Sequence, residues 1–299
     1  MAASYNMDDI VVNSIRALFN GVSYGMILVL MSIGLSLVFG LMGVANFAHG
    51  EFYALGAYMG FFAFGLTGNF IVAMLASVLA VAAVGGAIEA TTIRPLYGRD
   101  PLIQIPATFG LAIVMVEVIR YVWGSTSHPF PVPELLSGTY LVGGMAFSTY
   151  RSFLIVAGTA LTILMWLFLV RTQYGLVIRG AIFDKEMVES MGYRVSRAYT
   201  LLFGLGAAYA AIAGVLIAPL FGVFPGMGTQ MILLAFIVVI LGGMGSFKGP
   251  ILAGLLIGVL FGFGQMFVGA WAEVVPYALM ILVLVYRPRG LFGTKGVFQ

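Results

Sequence analysis

Residues 171–198 read RTQYGLVIRGAIFDKEMVESMGYRVSRA, and they hold five of the fourteen Arg and Lys residues and three of the eleven carboxylates. Hydrophobic sequence lies on both sides. From Ala198 to Phe247 no side chain is charged. Ionised groups are costly in hydrocarbon, so this island must sit in water or at a headgroup surface. Within it the punctuation of a short helix is legible. Asp184 is a good N-cap, because its carboxylate can take the free amide hydrogens of the first turn. Lys185 to Met191 is predicted helical, and Gly192 suits the left-handed residue that ends a helix. Phe183, Met187 and Met191 fall at i, i+4, i+8 and form one apolar stripe, while Lys185, Glu186 and Glu189 cover the other sides. A stripe this short cannot make its own core. Either it lies on the membrane or on its own bundle, or it fills a groove of a partner protein.

Composition sets the frame outside the island. The 299 residues are 62% hydrophobic and 8% charged, against about 25% charged in a soluble domain. A water-soluble fold of this size cannot hide so much apolar surface. The expected fold is all-α, a polytopic bundle of membrane helices forming a single domain over 1–299, with about 8–9 crossings of about 20 residues each. They are read at 17–40, 50–67, 69–90, 102–122, 152–170, 199–218, 229–243, 250–269 and 271–286, the shorter ones broken or re-entrant. The N-terminal segment carries acids before its apolar run, unlike a cleaved signal, and is taken as part of the fold.

Threading the crossings with the island inside puts eleven basic residues on the inner side. These are Arg94, Arg99, Arg171, Arg179, Lys185, Arg194, Arg197, Lys248, Arg287, Arg289 and Lys295. Only Arg16, Arg120 and Arg151 fall outside. This satisfies the positive-inside rule, and the reverse threading breaks it. The C-terminus is then cytoplasmic and the N-terminus external. Residues 123–151 form a long external connection with a short hairpin (TYLVGG…MAFSTY). Glu117 and Arg120 are spaced to pair, and Pro276 is expected to kink the last crossing.

Two Gly-rich breaks look alike. FGLMGVANFAHGEF (39–52) precedes the second crossing and ILGGMGSFKGPI (240–251) the eighth. Each places a small polar residue and Phe, then a basic or titratable residue and Gly, before a new apolar helix. Paired breaks of this kind suggest an internal repeat and often line transport paths. Asn46, His49 and Glu51 in the first, with Gly242, Gly243 and Ser246 in the second, are therefore the candidate pathway and gating residues. The alternative is that Asn46, His49 and Glu51 sit at headgroup level, near a membrane end, and simply start a helix. Gly254, Gly258 and Gly262, and Gly56 with Gly60, mark close helix packing.

Several chemistries are excluded. No lysine stands in a phosphate-binding loop, so the chain does not hydrolyse ATP by that route. There are no cysteines, and His49 and His128 lie far apart, so no metal set is evident. No nucleophile–base pattern exists, and no catalytic residue is assigned. The carboxylates are read near crossing ends, which argues against a proton-driven carrier.

The strings GVANFAHGEFYALGAY (43–58), RPLYGRDPL (94–102), GAIFDKEMVESMGYRVSRAY (180–199), AAIAGVL (210–216), VVILGGMGSFKGPILAGLLIG (238–258) and YRPRGLFG (286–293) carry a resemblance nearly end to end. The chain resembles the permease subunits of ABC importers for branched-chain amino acids, the LivH type. The resemblance implies a second homologous permease, two cytoplasmic ABC ATPases that hold the ATP, an external amino-acid-binding protein and a bacterial or archaeal cell membrane. No cofactor on this chain and no nucleic acid are implied. It also implies that Phe183, Asp184, Met187, Val188, Met191 and Gly192 form the helix that couples to the ATPase, Val188 standing where a smaller Ala is the family's habit. Relatives for urea, amides or other amino acids share the pattern. A stand-alone secondary carrier is the competing class.

Overall fold

The computed structural model describes residues 7–287 and 290–292. Arg289 and Lys295, counted above on the inner side, lie outside them. Eleven α-helices carry the described chain: α1 (Met7–Met42), α2 (His49–Thr67), α3 (Phe70–Ile88), α4 (Pro101–Trp123), α5 (Thr149–Arg171), α6 (Gln173–Phe183), α7 (Lys185–Ser190), α8 (Val195–Phe221), α9 (Met227–Gly242), α10 (Lys248–Phe267) and α11 (Val275–Tyr286). Eight of the nine expected crossings each coincide with one α-helix, and the ninth is a 3-10 turn followed by α11. Among the described residues, seven helices are long and apolar enough to span a membrane. Two are not counted with them: α2, which starts with His49 and Glu51, and α9, an apolar helix of 16 residues. Each borders a Gly-rich break, α2 following the first and α9 preceding the second.

The bundle is built around α1 and α8. Their apolar stretches are almost wholly buried, while α3, α4, α5, α10 and α11 turn most of their surface outward. Small residues make this possible, because without a solvent-driven force between helices in lipid, close backbone packing is what holds them. A Cβ on Gly25 would sit 3.0 Å from the Gly254 carbonyl oxygen, and one on Gly21 2.7 Å from that of Gly258. The same logic holds α2 to α8, with Gly56 on Ala211 and Gly60 on Val215. Buried phenols tie α5 to α8: the Tyr150 hydroxyl donates to the Leu216 carbonyl (2.6 Å) and the Tyr209 hydroxyl to that of Leu161 (2.8 Å). Gly258→Leu is expected to separate α1 from α10 and cost about 2–3 kcal/mol, the range for overpacking a filled interior. Thermal unfolding in detergent checks this, and an unchanged midpoint would refute the packing account.

The 123–151 connection contains the expected hairpin. Strands β1 (Thr139–Val142) and β2 (Met145–Ser148) pair antiparallel through a Gly143–Gly144 turn with both φ positive. The Glu117–Arg120 ion pair forms at 2.6 Å. The expected kink in the last crossing does not. That span is a 3-10 turn (Gly269–Val274) followed by α11, and Pro276 sits in the first turn of α11, where its missing N–H is no loss.

Candidate coupling helix and translocation path

Thr172 ends α5 and starts α6, its hydroxyl accepting from the Gly175 amide (3.0 Å). Asp184 then caps α7, its Oδ1 accepting from the Met187 amide (2.9 Å). The helix runs Lys185–Ser190, one residue shorter than expected. Met191 is its C-cap, and Gly192 takes φ +86°. Phe183 is 90% exposed, Met187 61% and Met191 68%, so nothing among the described residues covers the apolar stripe. Val188 is different. It turns toward α6, where a Cβ on Gly180 would lie 3.1 Å from its methyl. Its extra bulk relative to Ala is therefore absorbed within the chain, and the uncovered face consists of Phe183, Met187 and Met191. The Lys185–Glu189 pair, 4.0 Å apart and exposed, adds little.

The first Gly-rich break is buried inside the bundle. Gly43 leaves the helix with φ +64°, and Val44, Ala45, Asn46 and Ala48 are all buried in a non-helical segment. A buried irregular segment needs its polar groups met from within. The Thr108 hydroxyl, on α4, donates to the Ala45 carbonyl (3.0 Å), and Asn46 Oδ1 accepts from the Ala48 amide (3.0 Å). His49 Nε2 donates to the Met31 carbonyl of α1 (3.2 Å). Met31 lies nine residues before the end of the Asp9–Gly40 span, which is roughly 14 Å inside at 1.5 Å per residue. Glu51, two residues further along α2, is buried, with Oε1 accepting from the Thr229 hydroxyl of α9 (3.0 Å). Its Oε2, and Nδ2 of Asn46, have no hydrogen-bond partner among the described residues. Glu51 stands in the first turn of α2, near the end of that crossing as the sequence suggests, and that turn is buried inside the bundle.

The second break is a tight turn. Gly243 has φ +99°, and Gly242 lies directly on Gly249. Ser246 Oγ accepts from the Gly249 amide (3.1 Å), and its carbonyl accepts from Ser36 Oγ (3.2 Å). The amides of Leu291 and Phe292 close the end of α9 by donating to the Leu241 and Gly242 carbonyls (2.8 and 3.0 Å). The two breaks share a local form: a Gly of positive φ, then a polar side chain accepting from a nearby amide. The two breaks touch at Gly40, whose added Cβ would meet the backbone of Gly245, while Gly50 and Glu51 of the first break pack against Gly228 and Thr229 at the start of α9.

Two features were missed by sequence reasoning. A π turn over Glu89–Ile93 places Arg94 on buried Glu89, with Nε and Nη2 donating to the two carboxylate oxygens (3.2 and 2.8 Å). Tyr97 donates to the same carboxylate (2.6 Å), and Arg94 also reaches Thr200 of α8 (2.7 Å). This i, i+5 pairing has no signal in ordinary helical spacing. The second is a cavity of about 410 Å³ between α1, α2, α8, α9, α10 and the last span. It draws single polar residues from several helices, which no local pattern announces.

Central buried helices, a helix that starts inside the bundle and a water-exposed amphipathic turn between spans define a multi-pass α-helical membrane protein of permease type. The chain belongs to the family described as branched-chain amino acid transport system / permease component, which it matches over residues 17–284. It is a transport component and not an enzyme. It is 33% identical to the high-affinity branched-chain amino acid transport system permease protein BraD of Pseudomonas aeruginosa, covering 95% of this chain and 97% of that one. It is 30% identical to LivH of Escherichia coli, over 95% and 96% of the two chains, and 29% identical to LivM of the same organism, over 89% and 68%. The solved structure of PsaBC from Streptococcus pneumoniae in complex with Fab is similar in fold, with a TM-score of 0.51 at 15% identity, covering 93% of this chain and 97% of that one.

Proposed function

We propose that this chain is the membrane subunit of an importer for branched-chain and other hydrophobic amino acids. It works with a second homologous permease, two cytoplasmic ATPases and an external binding protein. The observation that carries the externally driven reading is the uncovered stripe of Phe183, Met187 and Met191 on an Asp-capped helix. Three large apolar side chains facing water at one place mark a surface meant to be covered. The amino-acid substrate is supported by the similarity to BraD and LivH. Residues 171–198 and the C-terminus are then cytoplasmic.

The path runs along α9. Thr229 and Gln230 are exposed on its outer face beside Glu51. Polar groups at that depth are poorly suited to lipid, so this face lines the route or meets the second permease. Asn46, His49 and Glu51 form its hinge region, and Gly242, Gly243 and Ser246 the turn below. ATP binding closes the ATPases, α7 moves with them, and the permease pair alternates between outward and inward openings. The ligand and the nucleotide shift that equilibrium only by their differential affinity for the two states.

Purification in mild detergent tests the assembly. Two ATPases and a second permease should co-purify. If the chain alone, in vesicles with ion gradients and no ATP, accumulated amino acid, it would be a secondary carrier and this reading would fall.

A further inference from the structure

We propose that the cavity bordered by α9 and the last span is a binding site for a zwitterionic α-amino acid with an apolar side chain, an alcove opening onto the α9 face. The inference rests on the transport reading above and adds a site to it. The cavity measures about 410 Å³, within the range of small-molecule sites. Its walls divide by chemistry. Tyr24, Tyr53 and Tyr277 contribute phenols, Gln230 an amide and Glu273 a carboxylate. Glu273 is exposed, stands in the 3-10 turn at the start of the Gly269–Tyr286 span, and pairs with no cation among the described residues. None of the five side chains makes a hydrogen bond to another described residue. Five polar groups with their bonding capacity unspent converge on one space.

The ligand class follows from what these groups can hold. A carboxylate beside aromatic faces suits an ammonium group. The ring of Tyr24 lies 5.0 Å from that of Phe261, so the cation would meet an aromatic wall as well as Glu273. The Gln230 amide and the phenols can donate to the ligand's own carboxylate. Met231 and Ile257 are among the apolar residues that make up the rest of the wall. Methionine adapts to several shapes, which suits a site that takes more than one aliphatic side chain. A simple cation would not need the apolar wall, and a lipid tail would not need the carboxylate.

The test uses the assembled transporter in proteoliposomes, with radiolabelled leucine and alanine as probes. Glu273→Gln is expected to lower leucine uptake at least tenfold. Ile257→Phe, which fills the apolar end, is expected to shift the leucine-to-alanine ratio at least fivefold toward alanine. Photo-leucine on the unsubstituted complex provides a readout independent of folding, with labelling expected on peptides containing Met231, Ile257 or Tyr277. Unchanged rate and selectivity in both variants, or labelling of this chain confined to other segments, would overturn the site while leaving ATP-driven uptake, and so the transport reading, intact. Absence of ATP-driven leucine uptake by the unsubstituted assembly would overturn both.

Discussion

Met187→Asp is expected to abolish ATP-driven uptake, by at least about 100-fold, while the purified chain unfolds at the same temperature as the parent. Met187 is 61% exposed and caps no cavity, so its replacement removes no core contact. Surface substitutions of that kind change stability by about 0.5 kcal/mol or less. The cost falls on docking. An ionised carboxylate pressed into an apolar groove loses its water without gaining a partner, and a loss of about 3 kcal/mol is already about 100-fold in affinity. Phe183→Asp should behave alike. Val188→Asp should not, because Val188 packs on Gly180 and a charge there disturbs the α6–α7 corner itself. Co-purification of the ATPase with each variant, with uptake and melting measured on the same preparations, separates these outcomes. Intact ATPase binding and uptake in Met187→Asp would remove α7 from the coupling role.

Gly50→Leu should be nearly as damaging for a different reason. A Cβ at Gly50 would meet the Gly228 carbonyl and lie 2.8 Å from Cβ of Ile232, so the larger side chain has no space between α2 and α9. The helices must separate. The Glu51–Thr229 and His49–Met31 hydrogen bonds are then stretched or lost deep in the bundle. Overpacking contributes about 1–3 kcal/mol of destabilisation, and each polar group left unpaired adds about 1–3 kcal/mol. Uptake is expected to fall more than 100-fold, with a lowered unfolding temperature. Gly50→Ala should fall between. Normal uptake and melting in Gly50→Leu would mean that α2 and α9 are not in the contact described.

Local chemistry was read well from the chain because it is decided locally. The Asp184 cap and the Gly192 stop depend on a few neighbouring residues, and both are present. The Gly143–Gly144 turn forms for the same reason, since paired glycines accept the positive φ that a two-residue hairpin needs. Pro276 was misread because a proline kinks a helix only if the helix precedes it. Here the helix starts one residue before it, and the preceding turn is 3-10.

Depth and convergence were not legible. Glu51 stands near the start of an apolar run, and only the packing of α2 against Met31 and Gly34 of α1 puts that start far from the surface. Arg94 reaches Glu89 because a π turn resets the helical phase.

The sequence by itself determined that this is a multi-pass helical membrane protein, where its helices run, and where one charged, amphipathic turn must meet water. Burial of apolar side chains in lipid and the pairing of backbone groups within each helix leave little choice once composition and spacing are set. Only the tertiary structure decided which polar residues lie deep, which glycines let helices touch, and that Glu273, Gln230 and three tyrosines share a cavity. Those facts depend on how separate helices pack against one another, and no stretch of the chain carries that information alone.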